Sequence, residues 1–457
     1  MIALAAKRPL AGGFSRRGAC PALSVPMRTG DGLLVRLNPV AGGLSPAQLI
    51  GLCEAAAAYG NGVVEATARG SLQIRGLTET SAVRFAQAVD RLGISVRTGV
   101  PVQTGALAGL DPDEVADPAA LAETIRTGIA EAGLEARLGP KVSVVVDGGG
   151  RMALDEVVAD VRLTAVWTGD SVRWQVAIAG DAATAQPIGV ADGDQAACEA
   201  TLAVLSEIAR VGRQARARDV DEEKLSGILN SLQAGRSTLP PSGLSAESLI
   251  GTTNLRDGRV ALGIALPFGH TNAKLLKTFA ETAQALGVGD IRPAPGRTLV
   301  AICGTGAQAE ALREKAETMG FVTSPDDSRQ AISACPGAPE CASGHIPARR
   351  IAAEITSEYS NLLDGTVHLH VSGCAKGCAH PAASDIVVVG TATGMGLIVD
   401  GTARDEPLAF ADSDSGRRGL AGVAALVSAE RRAGETTAQA IQRIGLSALA
   451  EAFGRRK

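Results

Sequence analysis

The 457-residue chain lacks any apolar run near the roughly 20 residues that a membrane-spanning helix requires, so no membrane segment is expected. Its start, MIALAAKRPLAGGFSRRGACPAL, has basic residues but no apolar stretch ahead of a cleavage site, and a secretory signal is not expected either. Ser15-Arg16-Arg17 is followed by Pro- and Gly-punctuated sequence, not by the hydrophobic segment of a twin-arginine signal. Strong charge of either sign is also missing. A net charge of -4 and a pI near 5.9 give no global pull towards nucleic acid or an anionic membrane surface. These absences point to a cytoplasmic protein, read here as a monomer, with a loose N-terminal arm. A content of 46% hydrophobic and 20% charged residues fits a soluble globular chain of two or three domains.

A disulfide framework is absent too, although there are eight cysteines. Four of them crowd into residues 335–378, a clustering that in a reducing compartment signals metal binding or catalysis. Cys53, Cys198 and Cys303 fall in apolar helix or strand patterns or stand alone, and read as small buried hydrophobes. Cys20 lies in the Gly/Pro-rich arm, and its role stays open.

What the chain does have is an internal repeat. Residues 32–76 and 258–304 both run strand, Pro/Gly turn, amphipathic helix, Gly turn, then a strand entered through Gly70 or Gly296. Pro39 pairs with Pro267 and Gly60 with Gly287. A second block, KVSVVVDGGGRMALDEVVADVRL (141–163), aligns with TVHLHVSGCAKGCAHPAASDIVV (366–388), so that Asp160 meets Asp385. The near-constant offset implies a tandem duplication joined near residues 225–245. The fold expected is α/β (α+β), in two pseudo-symmetric halves. The boundaries read are an arm over 1–21, ferredoxin-like half-domains over 22–95 and 240–318, and α/β domains over 96–235 and 319–405. Two helices broken at Gly434 are expected within 406–457.

Only the second copy carries cysteine in its Gly-rich turn, which is GGGRM in the first half and CAKGC in the second. The pattern is Cys335-x5-Cys341, then 32 residues, then Cys374-x3-Cys378. Each pair sits on a turn where Gly337, Gly373 and Gly377 let backbone approach closely and free N–H groups face sulfur. Four soft thiolates satisfy a 4Fe–4S cubane, whereas structural zinc more often shows CxxC knuckles on both sides. Four of the five histidines (His345, His368, His370, His380) share this segment. Their plain reading is hydrogen bonding around the cluster or pocket. A facial triad would require two histidines and a carboxylate, for which Asp385 is the neighbour in sequence. Gly304-Thr305-Gly306 after a strand has the look of a dinucleotide loop. It has no glycine-rich partner in the first repeat and no acidic residue after a following strand, so a nucleotide site is rejected.

C-x5-C and C-x3-C in the second half of a duplicated chain resembles the sirohaem sulfite and nitrite reductase superfamily. So does Thr67-Ala68-Arg69-Gly70-Ser71-Leu72-Gln73-Ile74-Arg75, which is similar to its T-x-R-x-x-x-Q strand. Within it, residues 16–37, ALAGLDPDE (106–114) and the VVVDGGG turn look most like the precorrin-3B synthases of aerobic cobalamin synthesis. The resemblance implies an oxidoreductase that uses O2 to hydroxylate precorrin-3A and close a lactone, with the 4Fe–4S cluster relaying electrons. It implies an external donor (NADH through a reductase, or a ferredoxin) and raises a mononuclear non-haem iron as a second metal; sirohaem is not expected. The alternatives are a sirohaem-dependent sulfite or nitrite reductase and a non-catalytic Fe–S or tetrapyrrole carrier. A substrate rimmed with carboxylates calls for cations, and Arg28, Arg36, Arg69, Arg75 and Lys141, with Gln73, are the candidate binding residues. Arg162 belongs to the same basic set, and Arg69, Gln73 and Arg75 are expected on one strand face. Two departures from the reductases thin the positive charge an anion site needs. Lys141-Val142-Ser143 keeps one lysine of a Lys-x-Lys pair, and Val100-Pro101-Val102-Gln103 replaces an Arg-Asn stretch.

Overall fold

The computed structural model describes residues 21–40, 42–151, 154–229 and 248–454. The arm with Cys20 and most of the expected join lie outside the described residues. The first half contains β1 (Met27–Thr29), β2 (Gly32–Leu37), α1 (Pro46–Tyr59), β3 (Val63–Ala66), β4 (Leu72–Leu77) and α2 (Glu79–Arg91). Then come β5 (Val102–Gln103), α3 (Ala119–Glu131), β6 (Val144–Asp147), β7 (Ala159–Thr168), β8 (Ser171–Gly180), β9 (Gln186–Ala191), α4 (Gly193–Val211) and α5 (Glu222–Leu229). The second half opens with β10 (Gly251–Asn254), β11 (Val260–Ala265), β12 (His270–Asn272), α6 (Ala273–Ala285), β13 (Asp290–Ala294), β14 (Thr298–Cys303) and α7 (Gly306–Thr318). It continues with β15 (Ile332–Ala334), α8 (Ala348–Glu358), β16 (Leu369–Ser372), β17 (Ser384–Thr391), β18 (Gly394–Gly401) and β19 (Ala409–Ala411), and ends in α9 (Ser413–Glu430), α10 (Thr437–Ile444) and α11 (Leu446–Phe453).

The duplication extends to strand register. Val35 and Val64 both face Ile74, and Leu262 and Ile291 both face Ala301, each residue displaced by 227. The five-stranded sheets β5-β6-β7-β8-β9 and β15-β16-β17-β18-β19 share one order, parallel at the first two pairings and antiparallel after. There Val144 pairs Val161 and Leu369 pairs Ile386, a displacement of 225. Even the helix caps repeat. Thr78 caps α2 and Thr305 caps α7, each hydroxyl accepting from the backbone of the third residue on. The glycines around Thr305 therefore serve a helix start.

The halves interlock reciprocally. Thr271 of the second repeat pairs with Val64 of the first, and Leu44 of the first pairs with Ile291 of the second. Helices α1 and α6 pack together, and one apolar core runs from Val35 and Ile74 of the first repeat to Leu276, Phe279, Leu299 and Phe321 of the second. Each five-stranded sheet keeps its own core. At the C-terminus three helices replace the expected two, because Gly445 (φ 81°) breaks the last segment as Gly434 (φ 77°) breaks the one before. Among the described residues no helix is long and apolar enough to cross a membrane.

Alternation in β4 sends Leu72 and Ile74 into the shared core and leaves Gln73 and Arg75 on the face that meets the second half. That seam is ionic. Glu65, 2% exposed, accepts from Gln73 at 2.7 Å. Arg75 Nη1 lies 3.6 Å from its Oε2, and Arg349 Nη1 lies 2.6 Å from its Oε1. Burial pushes the Glu65 carboxyl up, but Arg349 and Arg75 more than offset this and hold it below its usual 4.5. The stability it contributes is complete above that ordinary value and is lost as pH falls through the lower folded one. We expect Glu65→Gln to cost about 3 kcal/mol at pH 7, the order for breaking a buried ion pair. The wild-type loss of stability below about pH 4.5 should flatten in the variant. Urea midpoints between about pH 3 and pH 7, on the order of one unit apart, measure both; parallel pH profiles for the two proteins would refute the assignment.

Candidate functional site

The cysteine turns leave the ends of adjacent parallel strands. Cys335 follows β15 and Cys374 lies just beyond β16, so the strand pairing brings the two turns together. Gly373 N–H donates to Cys335 Sγ at 3.1 Å. A Cβ on Gly373 would lie 2.7 Å from Gly337 Cα and 3.3 Å from that sulfur, so only glycine lets the turns close. Cys341 N–H donates to Gly337 O at 2.7 Å, and His345 N–H to Gly373 O at 2.7 Å. Lys376 Nζ reaches Ser343 Oγ at 2.8 Å, a further tie between the turns. Burial, then the neighbouring Cys378 and Cys341, pushes the Cys335 thiol up despite the Gly373 N–H; burial and the same neighbours raise Cys374. Four thiols that repel one another as thiolates are a donor set that a cationic iron cluster would stabilise. Among the described residues no three His, Cys, Asp or Glu side chains converge on one point suited to a single metal ion. A polynuclear cluster spreads its thiolates round several irons, so it does not need such a point.

Cys53, Cys198 and Cys303 are buried, as their apolar patterns suggest. The histidines gather as well, with ring centroids 4.3 Å apart for His368 and His380 and 5.9 Å for His370 and His380. Burial, reinforced by the neighbouring rings and Arg297, pulls His368 down to about 4 and His370 to about 3, so both are neutral at pH 7. His368 is held between Ser333 and Ser384, each at 3.1 Å. His370 is 0% exposed, and among the described residues neither of its ring nitrogens has a hydrogen-bond partner. His345 is exposed. Asp385 does not join them: its Oδ2 accepts the His368 backbone N–H at 2.7 Å, as Asp160 Oδ2 accepts that of Ser143 at 3.0 Å in the first half. The aspartate thus holds a strand end in both copies of the fold, and among the described residues the histidines lack the carboxylate of a facial triad.

The candidate binding residues separate into groups. Gln73 accepts from Arg36 at 2.6 Å, and Arg75 makes paired bonds of 2.9 Å to Asp31, so these three belong to the seam. Arg28 pairs with Glu79 at the surface, and Lys141 is exposed. Arg162 is buried and ties the Gly-rich turn of the first half through Leu154 O and Val157 O. Arg69 departs from the expected face because Gly70 (φ 77°) turns the chain before β4 begins. Its guanidinium reaches Val158 O at 2.6 Å and Ser143 Oγ at 3.3 Å, while its carbonyl accepts from Gln103 at 2.9 Å. Glu65, Arg349 and Arg297 are absent from the expected set. For Arg297 a signal exists, a cation beside Gly296 at the glycine that enters the repeat's last strand.

Residues 25–92 match the nitrite/sulfite reductase ferredoxin-like half domain. The chain is 37% identical to a precorrin-3B synthase from Sinorhizobium sp over 441 residues, 96% of this chain and 95% of that one. It is 28% identical over 166 residues to the hemoprotein β-component of an NADPH sulfite reductase from Xylella fastidiosa, covering 33% of this chain and 29% of that one. The structure of the Mycobacterium tuberculosis NirA protein superimposes with a TM-score of 0.71 over 91% of this chain and 84% of that one. Its 19% identity makes this a likeness of fold alone. A duplicated nitrite/sulfite reductase-like fold, together with near-full-length identity of 37%, establishes that the chain belongs to the precorrin-3B synthase family.

Proposed function

We propose that the chain performs the reaction its near-full-length relative is named for, as an O2-dependent monooxygenase in cobalamin synthesis. Precorrin-3A is hydroxylated at the carbon joining rings A and D, and an acetate arm closes a lactone. One atom of O2 enters the substrate and the other leaves as water, with two electrons and two protons drawn from an external donor such as a ferredoxin or an NADH-dependent reductase. Held by Cys335, Cys341, Cys374 and Cys378, a 4Fe–4S cluster would supply electrons singly, which such clusters do over roughly −700 to +450 mV.

The observation that carries this reading is the setting of Arg69. Both stretches in which the sequence departs from the reductase pattern, Lys141-Val142-Ser143 and Val100-Pro101-Val102-Gln103, reach this residue, through Ser143 and Gln103. A lysine at 143 would put a second cation within reach of the guanidinium, as anion reduction favours. A serine there leaves Arg69 with a neutral partner. Arg69 and exposed Lys141 are the cations we assign to substrate carboxylates, the guanidinium through its planar fork. Neutral His370 and His368 lie beside the ring of His380, two residues after Cys378, without adding charge. The facial-triad residues required for a separate mononuclear iron are not assembled among the described residues, and no step is assigned to one.

Two experiments test the proposal. Protein purified without air should hold close to stoichiometric cluster iron and acid-labile sulfide, and Cys374→Ser should remove most of both; undiminished iron and sulfide in the variant would refute the ligand set. Supplied with precorrin-3A and a reductant, the enzyme should consume O2. No uptake would favour a carrier, and stoichiometric sirohaem in an acid–acetone extract would sink the synthase reading in favour of a reductase.

A further inference from the structure

Each cysteine turn is grasped from outside by one arginine of a ferredoxin-like sheet. Arg75, on β4 of the first half and 4% exposed, donates through Nη2 to Glu340 O at 2.6 Å. Arg297, part-buried just before β14 in the second half, donates through Nη2 to Ala379 O at 2.7 Å. Both carbonyls belong to residues directly next to a cysteine, Glu340 before Cys341 and Ala379 after Cys378. The charges reach the sulfurs as well, since Arg75 interacts electrostatically with Cys341 and Arg297 with Cys335.

The duplication supplies an internal comparison. Gly30 N–H donates to Glu340 O at 3.1 Å, and at the matching place in the other pair of domains Arg256 N–H donates to Leu110 O at 2.9 Å. This backbone bond belongs to the fold in both halves. The two arginine bonds do not. By the 227-residue displacement of the strand register, Arg75 corresponds to Ile302 and Arg297 to Gly70. Ile302 lies in an apolar cluster with Leu107 and Leu255 opposite the first half's cysteine-free loop. The cysteine-free loop is held by arginines at other positions, Arg292 through Nη1 to Ala106 O at 2.9 Å and Arg256 through Nη2 to Glu114 O at 3.0 Å. What distinguishes Arg75 and Arg297 is their placement on carbonyls next to a cysteine.

We infer that Arg75 and Arg297 are positioning residues of the cysteine site, each clamping one turn from a different half and setting positive charge beside the thiolates. The inference rests on the cluster reading above. Two turns held by carbonyl clamps keep their sulfurs at cluster spacing between rounds of electron transfer, and the nearby cations favour the more reduced, more negative cluster.

The test uses the full-length protein isolated anaerobically with its cluster. Bleaching of the visible cluster absorption in excess chelator gives the rate of iron loss, and an EPR-monitored redox titration gives the midpoint potential. Arg75→Met and Arg297→Met should each lose iron about tenfold faster than wild type, with midpoints shifted to more negative values. Arg75→Lys and Arg297→Lys keep the charge but not the fork, so they should restore the midpoint while still losing iron faster. The Lys variants carry the test alone if a Met variant does not fold. Arg216→Met is the control: it removes a pair with buried Asp160 in the cysteine-free half and should leave both readouts at wild-type values. Folded variants with wild-type iron loss and midpoint would overturn the inference, as would equal iron loss in Arg216→Met. Wild-type protein that holds no iron or sulfide would instead sink the cluster reading itself.

Discussion

A carboxylate with 2% of its surface exposed stays ionised only if cations replace the water it has lost, and Glu65 is such a carboxylate. It stands in β3 of the first ferredoxin-like sheet, opposite Gln73 on one side and His270 of the second repeat on the other. The cations that answer it come from both halves. Arg75 then turns to Asp31 and Glu340, and Arg349 lies in the first turn of the helix that follows the first cysteine turn. One buried charge therefore fixes the relation of the sheet, the turn and α8. The matching seam of the other domain pair packs Val300, Ile302, Leu107 and Leu255 at its centre, with Arg292 donating to Ala106 O and Arg256 to Glu114 O beside them. Its sheet has no buried carboxylate like Glu65 among the described residues. Ion pairs are no better than such packing as a source of stability. Their place on the side that bears the cysteines ties them to what that side carries.

The Gly-rich turns show the same division. In the first half Asp147 accepts from Gly149 N–H and Leu154 N–H, and Arg162 closes the turn through two carbonyls. Among the described residues, these two side chains tie the turn to its own half. In the second half these positions hold Ser372 and Val387, and the serine hydroxyl donates to Cys374 O. The aspartate and arginine that tie the first turn have no counterparts in the second, which carries Cys374 and Cys378 instead. Asp160 and Asp385, by contrast, do one job in both halves, and so belong to the fold.

The duplication, its offset and the cysteine spacing were legible because they are one-dimensional: repeated turns and strands, and four residues of one kind. Registers preserved at 227 and 225 follow from that pattern. The seam was not legible. Arg75 reads as a pocket arginine until Asp31 and Glu340, from places 44 and 265 residues away, are seen against it. Arg69 was expected beside Gln73 by strand alternation, but alternation holds only inside a strand, and Gly70 turns the backbone just before β4. The third C-terminal helix was hidden for a like reason, since a single glycine at 445 reads as tolerated within a helix until its positive φ is known.

The loop at residues 154–158 connects these separate observations. Val158 offers its carbonyl to Arg69, while the Glu156 carboxylate acts on Arg297 and on His380. One short loop of the cysteine-free half thus touches the arginine assigned to substrate and acts on the arginine that clamps a cysteine turn. The first half has no thiols of its own in its turn, yet it borders the thiols of the second. A tetrapyrrole needs a broad surface with cations at its rim, and a redox centre needs a closed, glycine-lined corner. On the function proposed above, duplication followed by divergence would let one half specialise in each, with the ionic seam holding the two halves in register.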